Sequence, residues 1–120
     1  MLPPRNFAKR GRESRIRSEA HRRFVRSFMC MAYRSKECWG KVDCCHNRDE
    51  SPEKGMGTKP SDLWCYPCCR KHHIEAEKRE GQFGAKHGVN VYLLCIELAE
   101  RSPDKMIREA AKQYRTKAAE

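Results

Sequence analysis

The apolar positions of this chain fall in short clusters separated by charge, and each cluster predicts one small element. Behind Ser18, a suitable helix cap, Phe24, Val25 and Phe28 predict a helix. From Cys30 to His46 the pattern reads as two short strand-like pieces, with Gly40 as the turn between them. Residues 47–62 (NRDESPEKGMGTKPSD) are polar, with two Gly and two Pro, and read as a long loop. Loops of that length inside small domains are usually functional or disordered. A short apolar strand, Leu63-Trp64-Cys65-Tyr66, follows. A helix is predicted from about Lys71 to before Gly81, with His73 and Glu77 on one face. Val91, Leu94, Cys95 and Leu98 form the inward side of another, from about Val89 to Glu100, which Ser102-Pro103 ends. Asp104 to Ala118 reads as a last helix, rich in Lys, Arg and Ala and weakly amphipathic.

These elements offer little core. Only 38% of the 120 residues are apolar, counting cysteine, and 35% are charged, which fits one domain. A chain this small commonly needs a metal or disulfides to hold a fold. Eight cysteines are therefore the feature to explain. Residues 1–20 contain no apolar run, so neither a secretion signal nor a membrane span is expected. The expected compartment is a reducing cytoplasm, where clustered Cys with neighbouring His point to metal. A secreted, disulfide-bonded basic protein is the reading this disfavours.

The net charge of +10 is concentrated at the start of the chain. Nine cations, among them Arg10, Arg12 and Arg15, stand between Met1 and Arg26 against Glu13 and Glu19. Such a patch draws a polyanion by releasing condensed counterions, without reading base sequence. The alternative is a solvated arm that only aids solubility. A membrane surface fits less well, because the segment lacks an apolar face. The expected organisation is a flexible basic arm at 1–17, a metal-containing domain at 18–103 and a basic helix at 104–120.

Structural zinc (Zn2+) takes four soft or borderline ligands, supplied as two short knuckles. Cys69-Arg70-Lys71-His72 gives a C-x2-H spacing that turns both side chains to one metal. The other knuckle is a C-x7-C pair, Cys30 and Cys38, completing a Cys3His set. Cys68 adjoins Cys69, and either could be the ligand. Cys45 could also reach a metal, whereas Cys65 and Cys95 read as small core residues. Adjacent helical residues point about 100° apart, so His72 and His73 should face different sites. His73 and Glu77 (H-x3-E) can hold a divalent cation, and His46 can serve as a general base. A metal and a basic histidine together suffice for phosphodiester hydrolysis. A structural role for His46 and a solvated surface role for Glu77 are the alternatives.

The runs Cys44-Cys45-His46-Asn47-Arg48, Gly55-Met56-Gly57-Thr58-Lys59-Pro60-Ser61-Asp62, Pro67-Cys68-Cys69-Arg70-Lys71-His72-His73 and Lys86-His87-Gly88-Val89 resemble small phage and prophage HNH-like proteins. Those proteins are in turn similar to RecA-dependent phage nucleases. The resemblance covers about residues 20–103 and implies an α+β fold: a zinc-stapled ββα-metal (HNH, or His-Me finger) core with added N- and C-terminal helices. It implies a metal-dependent DNA endonuclease of recombination or replication, in the cytoplasm of a bacterial host. In that frame His46 is the general base, His73 and Glu77 hold catalytic Mg2+ or Mn2+, and Cys30, Cys38, Cys69 and His72 hold zinc. Arg48 matches an arginine that contacts phosphate; Lys59, Arg10, Arg12 and Arg15 would hold the backbone. The family pattern departs here at Glu77, where a histidine is usual, at Cys45 (alanine) and at Cys68 (leucine). The middle asparagine of HNH has no clear counterpart; Asp62 stands nearest. The competing function is a non-catalytic zinc module that binds nucleic acid or a recombination protein.

Overall fold

The structure, a computed structural model, describes residues 15–48, 51–53, 59–78 and 83–119, with side chains described as far as residue 115. It is a small α+β arrangement: one two-stranded sheet with several helices around it. Helix α1 (Glu19–Arg26) starts where Ser18 Oγ accepts from the His21 amide. Strand β1 (Val42–His46) pairs antiparallel with β2 (Cys65–Cys69), Val42 opposite Cys69 and His46 opposite Cys65. Helix α2 (Arg70–Glu77) follows β2 directly, and α3 (Phe83–Lys86), α4 (Val91–Glu100) and α5 (Lys105–Ala119) complete the chain.

The reading of Cys30–His46 as two strands is wrong in its first half. Tyr33–Ser35 is a 3-10 turn, and Lys36 ends it in the left-handed region with a φ of 60°. This tight coil brings the Cys30 and Cys38 sulfurs toward one point, which two extended pieces would keep apart. The partner of β1 is instead β2, across the long polar loop. The predicted strand at Leu63–Tyr66 also shifts: Asp62–Trp64 is a 3-10 turn and the strand begins at Cys65. All five residues of β2 are buried, so no polar–apolar alternation marked its span.

The core lies on β2 and the helices behind it. Trp64, fully buried, sits with its ring centroid 5.0 Å from both Tyr92 and Tyr114. The expected separate C-terminal helix joins this core, because Ile107 and Ala111, one turn apart, are fully buried. The end of the expected basic arm is docked as well. Arg15 donates to the Glu53 and Lys59 carbonyls, and Arg17 to those of Lys59 and Pro60. Most of the arm, with Arg10 and Arg12, lies outside the described residues, as do Gly55 to Thr58 of the octet.

Helix α1 carries a buried titration site that the sequence reading overlooked. His21 is fully buried, with Nδ1 2.8 Å from Ser102 Oγ. Burial pushes its pKa down from 6.5 to about 4. The unfolded chain then takes up the proton first, so stability is full above pH 6.5 and is lost as pH falls toward 4. The expected loss is about 3 kcal/mol, read as a falling denaturation midpoint. His21→Asn puts a non-titrating amide where Nδ1 stands and should flatten that slope.

Candidate metal centre and cleft

The first site is a sulfur–nitrogen cluster at the start of α2. Cys69 ends β2 and caps α2, its sulfur accepting from the His72 amide. His72, one turn into the helix, places Nδ1 3.0 Å from Cys69 Sγ, 3.5 Å from Cys30 Sγ and 3.7 Å from Cys38 Sγ. With zinc–sulfur bonds of about 2.3 Å and zinc–nitrogen bonds of about 2.0 Å, a tetrahedron separates such atoms by about 3.6 Å. The donors therefore fit a single ion, and Cys30, Cys38, Cys69 and His72 could hold one. Ser35 Oγ lies 3.2 Å from His72 Nε2, fixing the ring with Nδ1 toward the sulfurs. Burial alone would raise the Cys69 thiol, but the His72 and Trp39 amides outweigh it and draw it down to about 6. That favours the thiolate a metal requires.

Neighbouring residues of a strand face opposite ways, and this separates Cys69 from Cys68. Cys68 is fully buried on the side where Asp43 opposes it. Cys45 lies on that same side, in hydrogen-bonding contact with Cys68, His73 and Tyr66. Neither sulfur belongs to the Cys30 cluster. Cys65 and Cys95 are fully buried, as core residues should be.

Along β1 and α2 opens a cleft of about 900 Å³. His46, His73, Glu77, Arg48 and Lys59 all line it, together with Asp43, Arg22, Arg26 and Arg70. His72 and His73 thus diverge, one to the sulfurs and one to the cleft. His73 Nδ1 is 3.0 Å from Asp43 Oδ2, and its Nε2 is 3.1 Å from Glu77 Oε1. The hydrogen bond with Cys45, then that with Asp43, pushes His73 up to about 9 against the opposing effect of burial. Arg70 Nε donates to the same Asp43 oxygen at 2.9 Å.

His46 ends β1 on the opposite face from Asp43, with Nε2 2.8 Å from Asp62 Oδ1. Asp62 is 1% exposed and also accepts from Arg22, Arg17 and the Ser18 amide. Burial alone would raise its carboxyl, but His46, the Ser18 amide and Arg22 hold it down at about 2. His46, Asp62 and Cys65 are also close enough to surround an ion. With the Asp62 oxygens taken by arginines and an amide, we read this group as an oriented histidine. A further group, His72, Glu75 and His87, shares His72 with the sulfur cluster. There Glu75 Oε1 already meets Lys86 Nζ at 2.9 Å and His87 Nε2 at 3.1 Å.

Arg15, expected to touch nucleic acid, is 12% exposed and spent on the loop carbonyls. Arg22 and Arg26, not singled out in the sequence, occupy the cleft instead. Their spacing of four on α1 was the available signal. No helix among the described residues is long and apolar enough to cross a membrane.

No solved structure matches this chain. The chain is similar to a protein of Escherichia coli (strain K12) named "Uncharacterized protein YdfU", with 32% identity over 91 residues. That alignment covers 76% of this chain and 25% of the relative, so the chain spans about a quarter of the relative's length. A family model described as "Protein of unknown function (DUF968)" matches residues 2–108, and the chain belongs to that family.

Proposed function

We propose that the protein is a zinc-stapled, metal-dependent DNA endonuclease of the HNH type, serving phage or prophage recombination or replication. One observation carries the reading: a basic cleft lined by two histidines, each held by a carboxylate. The order strand, loop, strand, helix around that cleft supports it. So does the presence in it of His46, His73, Glu77, Arg48 and Lys59.

Each group has a physical task. Arg48 and Lys59 attract and seat the phosphate backbone, while Arg26, paired with Glu19, and Arg22, paired with Asp62 and Glu19, add positive charge to the wall. Asp62 accepts from His46 Nε2, leaving Nδ1 as the nitrogen that takes a proton from the attacking water. Asp43 orients His73 through Nδ1, so that Nε2 and the Glu77 carboxylate form a pair of hard and borderline donors. A divalent cation held by that pair, Mg2+ or Mn2+, would neutralise charge on the scissile phosphate and the leaving oxygen. His73 must release its proton to serve as a ligand, so loading the site expels a proton.

Supercoiled plasmid is the test substrate. Wild-type protein should convert it to the nicked form when Mg2+ or Mn2+ is added, and His73→Ala should lose the cation-dependent part by about a hundredfold or more. The wild type should also carry one firmly held zinc and one exchangeable ion. One zinc alone, with no nicking in either cation, would leave a non-catalytic zinc module.

A further inference from the structure

The surface beside the cleft holds an aromatic side chain that neither the core nor the hydrolytic groups use. Trp39 is 67% exposed, while Trp64, the other tryptophan, is fully buried. Its backbone is pinned: the amide donates to Cys69 Sγ and the carbonyl accepts from the Lys71 amide. The next residue, Gly40, has a φ of 82°, and a Cβ there would stand 2.7 Å from Arg70 Cβ. The absent side chain lets the loop lie directly on Arg70, which itself lines the cleft. Trp39 is thus a flat ring on a rigid mount, one residue from the cleft wall.

Its surroundings carry more positive than negative charge. Lys36 and Lys41 flank it in the chain and are exposed, and Arg70 and Lys71 adjoin it through the contacts above, paired with Asp43 and Glu37 respectively. Tyr33, 45% exposed, stands in the same knuckle with the Arg34 guanidinium 5.7 Å from its ring centroid. An isolated exposed aromatic is ordinary. One whose backbone is anchored on both sides, among cations and next to a phosphate-seating cleft, has the composition of a single-strand binding platform, where bases stack on rings and cations follow the backbone. Base pairs inside a duplex are stacked on each other and offer a side ring no free face.

We infer that Trp39 is a stacking platform for an unpaired base, so that the substrate class of the cleft is DNA carrying a single-stranded segment. This rests on the cleft being the phosphodiester site. The path leaves the cleft over Arg70 and reaches the ring of Trp39.

Tryptophan emission reads this directly, because Trp39 is the exposed indole and Trp64 the shielded one. The zinc-loaded full chain, without added Mg2+, is titrated with oligothymidylate, and binding is followed in parallel by anisotropy of a labelled copy. Emission should fall with the same midpoint as the anisotropy rises. Trp39→Ala should bind about tenfold more weakly and show a flat emission, while Trp39→Phe stays within about threefold of the wild type. Unchanged emission at saturation overturns the inference, as does equal affinity of the alanine variant. Equal quenching by a blunt duplex of the same length also overturns it. Zinc content and the emission of Trp64 show that the variants are folded. Nicking of plasmid is a separate readout: if it persists while stacking fails, only this inference falls, and if it is absent the cleft reading falls instead.

Discussion

Cys69→Ala, or removal of the metal by a strong chelator, is expected to abolish the cooperative thermal transition rather than merely empty a site. Three structural tasks meet at this sulfur. It ends β2, it caps α2 by accepting from the His72 amide, and it lies 3.0 Å from His72 Nδ1 in the donor cluster. Structural zinc in small domains contributes about 10–16 kcal/mol of apparent binding energy, while whole domains are stable by about 5–15 kcal/mol. If zinc fills the cluster as proposed, most of the net stability is linked to it. Without the ion the three sulfurs and an imidazole are crowded together with no cation to bind them, and the 3-10 turn at Tyr33–Ser35 loses its reason to coil. Far-UV circular dichroism through a melt, with zinc quantified in the same sample, measures this. Cys68→Ala is the matched control: equally buried but outside the cluster, it should keep its zinc and lose about 1 kcal/mol. A Cys69→Ala protein that melts within a few degrees of the wild type would exclude a stabilising metal at this place.

How far the sequence foretold this arrangement depended on whether a signal was local. Ser18 and the apolar residues behind it marked α1, and Asn90 and Ser102-Pro103 bracket α4 close to where periodicity placed it. The divergence of His72 and His73 followed from helical rotation alone. What was not legible is pairing across distance. Asp62 stood out only as the nearest counterpart of a missing asparagine, at the end of a polar loop, yet it is buried because Arg17, Arg22, His46 and the Ser18 amide converge on it from residues far away in the chain. The same convergence explains why Arg15 and Arg17 read as free arm charge: their carbonyl partners lie some forty positions downstream. The choice between Cys68 and Cys69 turned on strand register, which is set by the pairing of β1 with β2. Ile107, Ala110, Ala111 and Tyr114 stand at helical spacing along α5, but two of the four are alanines in a strongly charged helix, too weak a signal to show by itself that α5 packs on the core.

His46→Ala should lower plasmid nicking by about a thousandfold while leaving fold and metal content intact. Asp62 determines how His46 is held. A carboxylate that is 1% exposed and fixed by two guanidinium groups and an amide cannot swing, so the imidazole it accepts from is held in one tautomer and one orientation. His46 is itself at the end of a paired strand, with its side chain 12% exposed toward the cleft. Removing the ring therefore deletes a pre-positioned proton acceptor, together with the packing of a largely buried side chain. Asp62→Asn tests the other half of the pair. An amide retains the shape but loses the charge, so Arg17 and Arg22 are left facing a neutral group and His46 loses its tautomer control. Activity should fall by about tenfold to a hundredfold and stability by about 2 kcal/mol, whereas His46→Ala should cost a similar stability and far more activity. The two variants thus separate catalysis from support: at similar cost in stability, His46→Ala loses far more rate than Asp62→Asn. Equal nicking by wild type and His46→Ala, across Mg2+ and Mn2+, would remove His46 from the chemistry. The basic cleft would then be a binding surface only.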